Sequence, residues 1–387
     1  MIYDYIILGG GASGLSLAYK MKNSFFDNKK ILILEQDQKN SNDRTWCSWT
    51  LPDDPLNEIA VKKWNSLDFF ANDGNHLKLD PLPYIYRMIR SKDFYKYTID
   101  ELNTRRNVDF IQDKVLSIKE DDGNVTIQGL SSEYRGKHVF KSYMDIQIDK
   151  KRCLYVDQHF KGFIIKTEYD VFNPESATFM DFRINQMGET RFMYLLPTSS
   201  KEALIELAIF SNEILQQGDY DSILHDYILK TLRIEQYSIL EEEFGIIPMT
   251  SYNFKKHDTK YITHIGTAGG CVKSSSGYAF DRIQEHTDAI INCLVNGINP
   301  QKAQDIFTSK YKLFDATLLD VLLKNKLSGN DFFYQLFKVN KASVVFDFLN
   351  ERTSFAEEFK IMKGSDKIKF TASLLSLIPH IFFDKDL

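Results

Sequence analysis

Residues 5–35 have the order of a strand, a glycine-rich turn, a helix, a second strand and an acidic residue. Residues 5–8 are apolar and β-rich, residues 9–14 read GGGASG, residues 15–21 have the composition of a helix, and residues 31–34 are a second apolar run that ends at Glu35. This order and spacing are those of the dinucleotide-binding βαβ unit. The sequence therefore predicts a Rossmann-like α/β domain.

Each glycine of this turn has its own task. We predict that Gly9 permits the tight turn out of the first strand, that Gly11 lets the backbone approach a pyrophosphate, and that Gly14 lets the helix pack closely on the strand. The alternative is a glycine-rich turn that binds no nucleotide. Two strands and an acid in register with the turn favour the nucleotide.

The beginning of the helix is the predicted phosphate site. Its free N–H groups and the positive end of its dipole face the diphosphate, so we place Ala12 and Ser13 among the cofactor-binding residues. Glu35 can accept hydrogen bonds from the adenosine ribose hydroxyls. Arg44 and Arg90 are further candidates for contact with phosphate or ribose oxygens, although both are equally consistent with ordinary surface arginines.

A second turn of small residues distinguishes FAD from NAD. Residues 261–265 are a β-rich run followed by the turn GTAGG at 266–270, and a helix is expected from about 277–280. Small residues at such a turn let the backbone lie against a flavin ring or ribityl chain, which makes Gly266, Gly269, Gly270 and Gly277 candidate contacts. A turn this late in the chain suits a discontinuous FAD domain; a helix-entry turn without ligand is the alternative. No second GxGxxG follows a strand, so a separate NAD(P)H domain is not evident.

The remaining segments predict an antiparallel sheet and a helical C-terminal region. Residues 91–102 and 221–233 read as helices, whereas residues 108–118, 162–167, 178–184, 191–196 and 203–210 read as strands. The fold class is therefore α/β with α+β character. We predict a discontinuous FAD-binding domain at 1–160 and 245–295 with inserted segments, a substrate domain at 161–244, and a helical region at 296–387 that includes a candidate membrane contact.

The strand at 203–210 carries one carboxylate in apolar surroundings. Alternation places Leu204, Glu206 and Ala208 on one face, and both faces of the strand are apolar apart from Glu206. Apolar surroundings raise the pKa of a carboxyl group, which makes Glu206 a candidate general acid. The alternatives are pairing with a buried arginine or a place at the sheet edge. Asp181 beside Arg183 reads as a structural ion pair.

Composition excludes several classes of partner. Lys+Arg 48 against Asp+Glu 53 gives a net charge of −5, so no strong positive field favours nucleic acid. The four cysteines form no CxxC or Cys/His cluster, and we predict no metal site. Aromatic residues make up 13% of the chain. They indicate either a Phe-rich core or a long apolar or cationic ligand surrounded by rings.

Several longer motifs resemble those of one family, the bacterial-type lycopene cyclases. They are NDRTWCSW at 42–49, YRMIRSKDFY at 86–95, FMDFR at 179–183, RFMYLLP at 191–197, IPMT at 247–250, GTAGGCVKSSSGYAF at 266–280 and FLNERTS at 348–354. The resemblance covers nearly the whole chain. It departs at Ser48, where the family usually has an aromatic residue, and at Gly266-Thr267, where general flavoproteins carry Gly-Asp; this leaves the ribityl contact unassigned.

The resemblance implies a flavoprotein of the p-hydroxybenzoate-hydroxylase-like fold. It also implies an enzyme that closes β-ionone rings on linear carotenes such as lycopene, in a redox-neutral reaction that requires reduced FAD, with NAD(P)H as one candidate electron source. The family's essential acidic position falls on Glu206. The implied location is cytoplasmic and peripheral, on the inner face of a membrane, with the oligomeric state left open.

Three alternatives stay open at this point. The first is an FAD-dependent monooxygenase acting on an apolar or aromatic substrate, and the second is a non-catalytic flavoprotein that binds prenyl lipids. The third concerns residues 370–383, which are apolar but too short to span a bilayer and contain Pro379. They predict either a membrane contact or a helix docked on the core.

Overall fold

The computed structural model describes residues 1–121, 123–363 and 367–383, and for residues 363, 367, 368 and 378–383 it describes the backbone alone. Over these residues the strands are β1 (Ile2–Leu8), β2 (Ile31–Glu35), β3 (Thr45–Thr50), β4 (Lys62–Trp64), β5 (Leu67–Phe70), β6 (His76–Leu79), β7 (Ile85–Arg90), β8 (Val108–Gln112), β9 (Val115–Asp121), β10 (Asn124–Gly129), β11 (Glu133–Lys141), β12 (Tyr155–Lys166), β13 (Ala177–Asp181), β14 (Thr190–Pro197), β15 (Glu202–Ser211), β16 (Ser238–Thr250) and β17 (Ile262–His264).

The α-helices lie mainly in two groups, one around the N-terminal βαβ unit and one at the C-terminal end. They are α1 (Ala12–Lys20), α2 (Ser91–Leu102), α3 (Gln217–Asp226), α4 (Phe280–Val295), α5 (Ser309–Leu323), α6 (Gly329–Val339), α7 (Ala342–Leu349), α8 (Phe355–Lys363) and α9 (Lys367–Phe383). Within the described part of the chain, no helix has both the length and the apolarity to cross a bilayer.

The first sheet contains the predicted βαβ unit. Its order is β8-β2-β1-β11-β10-β9, and β17 pairs with β11. Strands β8, β2, β1, β11 and β17 run parallel, whereas β9, β10 and β11 form an antiparallel meander. Every residue of β2 is buried, as expected for a parallel strand covered on both faces. Ile7 and Ile33 pack with Leu15 of α1, so the sheet face that carries the helices is a single apolar layer.

The second sheet has the order β16-β12-β15-β14-β13-β5-β6 and is antiparallel except where β13 meets β5. The predicted alternation of residues 203–210 is confirmed. Ile205, Leu207 and Ile209 face a cluster that includes Tyr220 and Leu224 of α3, and Leu204 and Phe210 face the main aromatic core. Residues 67–79 join this sheet although its next strand along the chain, β12, begins only at Tyr155.

A small sheet, β3-β7-β4, contributes side chains to the apolar clusters of both large sheets. Its Trp49 and Trp64 enter the main core, where they meet apolar side chains of α6 and α7. Many of the chain's aromatic residues belong to this core, so the Phe-rich core that the composition indicated is confirmed. The other interpretation, a ligand surrounded by rings, requires a cavity, described below.

Several predicted elements differ in their bounds. The strand predicted at 162–167 begins earlier, at Tyr155, and the strand predicted at 178–184 ends earlier, at Asp181. The strand expected over residues 108–118 is two strands, β8 and β9, because the buried Asp113 accepts hydrogen bonds there from the backbone N–H groups of Lys114 and Ser131 and from the Tyr134 hydroxyl. The helix expected over residues 221–233 begins earlier, at Gln217, and α3 is followed by a π-helical turn at Tyr227–Thr231. Helix α2 has the predicted bounds.

Candidate functional site

The two glycine-rich turns meet at the carboxyl ends of the parallel strands. Gly9 leaves β1 with φ +99°, and a Cβ on Gly14 would lie 1.9 Å from the Gly9 carbonyl oxygen, so α1 can approach the strand this closely only without a side chain there. A Cβ on Gly266, which has φ +64°, would lie 3.0 Å from Cβ of Ser13. The late turn therefore rests directly on the first turn of α1, although about 250 residues separate them along the chain.

The beginning of α1 is shaped to receive an anion. Its N-cap is Gly11, whose residue type offers no side chain to cap the helix, and its first turn contains no acidic residue. A Cβ added to Gly11 would meet nothing within 4 Å, because Gly11 borders a cleft that Ala12, Ser13 and Gly266 also line. Unpaired N–H groups and the positive end of the helix dipole suit a diphosphate there. The residues present thus fit a dinucleotide.

Glu35 is buried at the end of β2 and holds the first turn in place. Its Oε2 accepts a hydrogen bond from the Gly10 N–H at 2.5 Å, and its Oε1 accepts one from the Asp37 N–H at 2.9 Å. A Cβ on Gly10 would lie 3.1 Å from Cβ of Glu35, so the turn and the acid are in van der Waals contact. Glu35 does not itself line the cleft, and its contact with the adenosine ribose stays a prediction.

The remaining candidates lie in three different places. Arg44 and Gly277 line the same cleft as the two turns, and a Cβ on Gly277 would lie 1.8 Å from Oε1 of Gln158. Gly269 and Gly270 instead line a neighbouring cavity of about 240 Å³ behind the turn. The Arg90 guanidinium forms an ion pair with Glu241 and does not line the cleft. Its predicted role in cofactor binding has no support from its surroundings.

Glu206 lies at the far end of this cleft, whose volume is about 350 Å³. Its strand, β15, is inside the sheet, and Glu206 stands opposite Gly162 of β12 and Tyr194 of β14. Because β15 is paired on both sides, Glu206 is not at a sheet edge. The charged group that acts on it is Glu243 and not a buried arginine. Burial, and next the negative charge of Glu243, raise the pKa of Glu206 well above the ordinary range of a glutamate.

Glu243 is a residue that the sequence analysis missed. It stands on β16 opposite Gly162, on the other side of β12 from Glu206. Both of its carboxylate oxygens are buried and have no hydrogen-bond partner among the described residues, and its negative charge acts on the Glu206 carboxyl. The sequence does contain a signal for it. Residues 243, 245 and 247 alternate along β16, so Glu243 lies on the same face of the strand as Ile247, which lines the cleft.

Three tyrosines close the cleft around Glu206. Tyr86, Tyr194 and Tyr278 all line it, and the hydroxyls of Tyr86 and Tyr278 are 3.3 Å apart. Burial raises the pKa of all three, so they are neutral hydrogen-bonding groups with aromatic faces. Cys47 lies among them, and its pKa is raised well above the usual value by burial and then by Glu206 and Glu243. All four residues lie within the motifs at 42–49, 86–95, 191–197 and 266–280.

A second cavity of about 330 Å³ continues from this point. It shares Tyr194, Ser276 and Tyr278 with the cleft, and it runs between the second sheet and the C-terminal helices. Its walls are almost entirely apolar and aromatic. They include Phe179, Phe192, Phe210, Phe314, Phe332, Phe333, Phe337, Phe348, Phe359 and Phe370. The structure therefore also contains the ring-lined space that the composition left open.

Comparison with known families and structures agrees with this arrangement. A sequence model of the family described as "Lycopene cyclase protein" matches residues 4–375. No curated protein sequence matches the chain significantly.

Among solved structures, a geranylgeranyl bacteriochlorophyll reductase-like protein from Thermoplasma acidophilum is similar with a TM-score of 0.67 and 12% identity, over 97% of this chain and 99% of that one. The halogenase PltM in complex with phloroglucinol and FAD has a TM-score of 0.63 and 11% sequence identity, over 96% of this chain and 85% of the halogenase. The p-nitrophenol 4-monooxygenase PnpA from Pseudomonas putida gives 0.56 and 14%, over 97% of both chains. These similarities confirm the predicted fold class, a Rossmann-like flavoprotein fold with an antiparallel substrate sheet and a helical C-terminal region.

Proposed function

The chain belongs to the lycopene cyclase family, and from this premise we propose that it cyclises the ends of a linear carotene, converting lycopene to γ- and β-carotene, with reduced FAD as cofactor. One observation carries the proposal. Glu206, a carboxyl group with a raised pKa, lines the nucleotide cleft beside Tyr194, which is one of three residues that the cleft shares with the aromatic cavity. A proton donor at the end of a long apolar cavity is what protonation of a terminal C=C requires.

The reaction begins with proton transfer from Glu206. The protonated carboxyl forms a new C–H bond at a terminal C=C, which leaves a tertiary carbocation on the substrate. The neighbouring double bond attacks this cation and closes the ring. Loss of a ring proton to the Glu206 carboxylate then gives the β end group and restores the acid. No electron is gained or lost overall, so the reaction is redox-neutral.

Aromatic rings near Glu206 would stabilise the cation. Tyr194 and Tyr278 lie between the cleft and the cavity, and Phe179 extends the wall. Each ring face that meets a cation contributes about 0.5–2 kcal/mol, more when water is excluded. The apolar wall also keeps water from adding to the cation.

FAD fits the residues at the other end of the cleft. Gly11, Ala12 and Ser13 would hold the diphosphate, and the turn at Gly266 would meet the flavin end. Glu35, which accepts the Gly10 N–H beside this turn, would bind the adenosine ribose. When bound in its reduced anionic form, FAD would supply negative charge that stabilises the substrate cation without net electron transfer. NAD(P)H as the source of the reducing electrons stays a prediction.

The substrate would enter from a membrane surface at α8 and α9. The cavity reaches Phe359 and Met362 on α8, which are 69% and 40% exposed, and Phe355 on the same helix is 80% exposed. A C40 hydrocarbon resides in the bilayer, so an apolar mouth on the protein surface suits its delivery. Helix α9 packs on α5 with Leu377 buried, so residues 370–377 belong to a docked helix.

The decisive experiment is expression of the chain in a lycopene-accumulating bacterium, followed by chromatography of the pigments. Cyclised carotenes are expected, and the purified protein should form them from lycopene in liposomes with reduced FAD and no oxygen. Sustained NADPH and oxygen consumption with a hydroxylated product would identify a monooxygenase instead. Unchanged lycopene, bound but not converted, would identify a lipid-binding flavoprotein.

A further inference from the structure

Glu206 and Glu243 lie on the two strands that flank β12, and the β12 residue between them is a glycine. Gly162 of β12 pairs with Glu206 of β15 on one side and with Glu243 of β16 on the other. Residues in register on adjacent strands project from the same face of a sheet. A Cβ on Gly162 would lie 3.3 Å from Cβ of Glu206 and 3.3 Å from Cγ of Glu243. The glycine therefore leaves open the space through which the two carboxyl groups meet.

Among the described residues, no positively charged side chain contributes to the raised pKa of Glu206. Lys161, the neighbour of Gly162, points to the opposite face and pairs there with Asp221 and Glu242. Among the described residues that line the cleft, Arg44 is the one cation, and it belongs to the nucleotide end, where its guanidinium donates to the Asp43 carbonyl oxygen.

The remaining titratable groups around the pair come from four other places in the chain. They are Cys47 of β3, Tyr194 of β14 and Tyr278 before α4, with Tyr86 of β7 next to them. All four are neutral acids whose pKa values are raised by burial, so none supplies a positive charge. Two acceptor-only carboxylates in contact would repel each other, whereas a pair that holds one proton gains a hydrogen bond.

We propose that Glu243 is a positioning residue which shares one proton with Glu206 and keeps it on the carboxyl group that faces the substrate. Glu206 lines the cleft and Glu243 does not, so Glu243 acts through Glu206. The inference rests on the proposed cyclase function for the step that it serves. The inference adds Glu243 as a second carboxylate beside the proposed acid. The alternation of residues around Glu206 did not reveal this partner.

The sharing serves both halves of the reaction. Before turnover, the charge of Glu243 keeps Glu206 protonated near neutral pH, so that the donor is loaded. After the proton has moved to the terminal carbon, the Glu206 carboxylate faces the substrate cation with the Glu243 carboxylate beside it. Their repulsion makes Glu206 a stronger base, which takes the proton from the ring carbon next to the cationic carbon, and the electron pair of the broken C–H bond forms the product C=C. The same proton count is restored, and no oxidant or reductant is consumed.

The test is the pH dependence of cyclisation by Glu243→Gln, with reduced FAD and lycopene in liposomes under anaerobic conditions. Removal of the neighbouring charge lowers the pKa of Glu206, so the alkaline limb of the rate profile should move to lower pH by at least about one unit. At a fixed pH on that limb, a shift of one unit corresponds to a loss of about tenfold in the cyclisation rate. Glu243→Asp retains the charge and should restore much of the limb.

The matched control is Glu242→Gln on the same strand, which removes a carboxylate that faces Lys161 instead and should leave the limb in place. A Glu243→Gln profile that is lowered equally at every pH, with the limb unmoved, would show a merely structural role and overturn the inference. If wild-type protein forms no cyclised carotene, the proposed function fails instead, so the two failures are distinguishable.

A second measurement needs neither activity nor the Gln variant of Glu243. Infrared titration of the flavin-loaded wild-type protein should show a carboxylic acid C=O band that persists above pH 7 and is absent from Glu206→Gln. Absence of any protonated carboxyl above pH 6 would overturn the inference even if Glu243→Gln fails to fold.

Discussion

Trp49 of β3 stacks on Phe346 of α7, with 4.6 Å between the ring centroids and 11° between the ring planes. Trp49 also meets Tyr278 edge to face at 4.7 Å. One ring of the small sheet thus joins the C-terminal helices to the tyrosines around Glu206. The position of the cavity wall depends on this contact, because α7 and Tyr278 both line the cavity.

Replacement of either stacked ring should destabilise the whole chain. Trp49 and Phe346 are almost fully buried, so each change to alanine should lower the free energy of unfolding by about 3–5 kcal/mol. A double-mutant cycle should give a coupling of about 0.5–1.5 kcal/mol. Urea unfolding is the measurement. Leu130→Ala, at a 69% exposed position, is the control and should change stability by less than about 0.5 kcal/mol. A coupling of zero would mean that the stacking is incidental.

Gly11→Val should yield folded protein without flavin. The new side chain meets no protein atom near its Cβ, so it projects into the cleft where the diphosphate would lie. Absorbance of the protein after reconstitution with FAD is the readout, and circular dichroism checks the fold. Gly218→Val, on α3, also adds a side chain where a Cβ meets nothing within 4 Å, and it should retain flavin. Flavin binding by the Gly11 variant at wild-type affinity would contradict the assigned site.

Glu206→Gln should abolish most cyclisation while leaving flavin content intact. The amide retains the size of the side chain but has no acidic proton, so turnover per FAD should fall by at least about 10²-fold. Glu206→Asp should keep partial activity at most, because one methylene displaces the proton. Glu202→Gln, on the same strand but paired at the surface with Lys166, is the matched control and should keep wild-type turnover. Near wild-type turnover by Glu206→Gln would show that Glu206 is not the proton donor.

Polar substitution on α8 should weaken attachment to lipid. Changing both Phe355 and Phe359 to serine removes two exposed rings at the mouth of the cavity, so less protein should float with phosphatidylcholine–phosphatidylglycerol liposomes. Turnover should fall with lycopene in liposomes. Leu130→Ser removes an equally exposed apolar side chain away from the mouth and should float as wild type does. Equal flotation of all three proteins would place the lipid contact elsewhere or remove it.

The sequence by itself determined the features that depend on neighbouring residues. The run GGGASG between two apolar strands predicts the turn, the helix and the acid that follow, because turn geometry and strand burial act over a few residues. Alternation along residues 203–210 isolates Glu206 for the same reason: a strand assigns its faces by counting in twos. The longer motifs identify the family, and the fold class follows from it.

Tertiary structure decided which distant groups meet. Glu243 is 37 positions from Glu206, and only the registers of β15 and β16 with β12 bring them together across Gly162. Arg90 looked as suitable for a phosphate as Arg44, yet the fold pairs it with Glu241. The cavity likewise takes its walls from strands and helices across the chain. Such contacts are set by how sheets and helices pack, which local patterns do not encode.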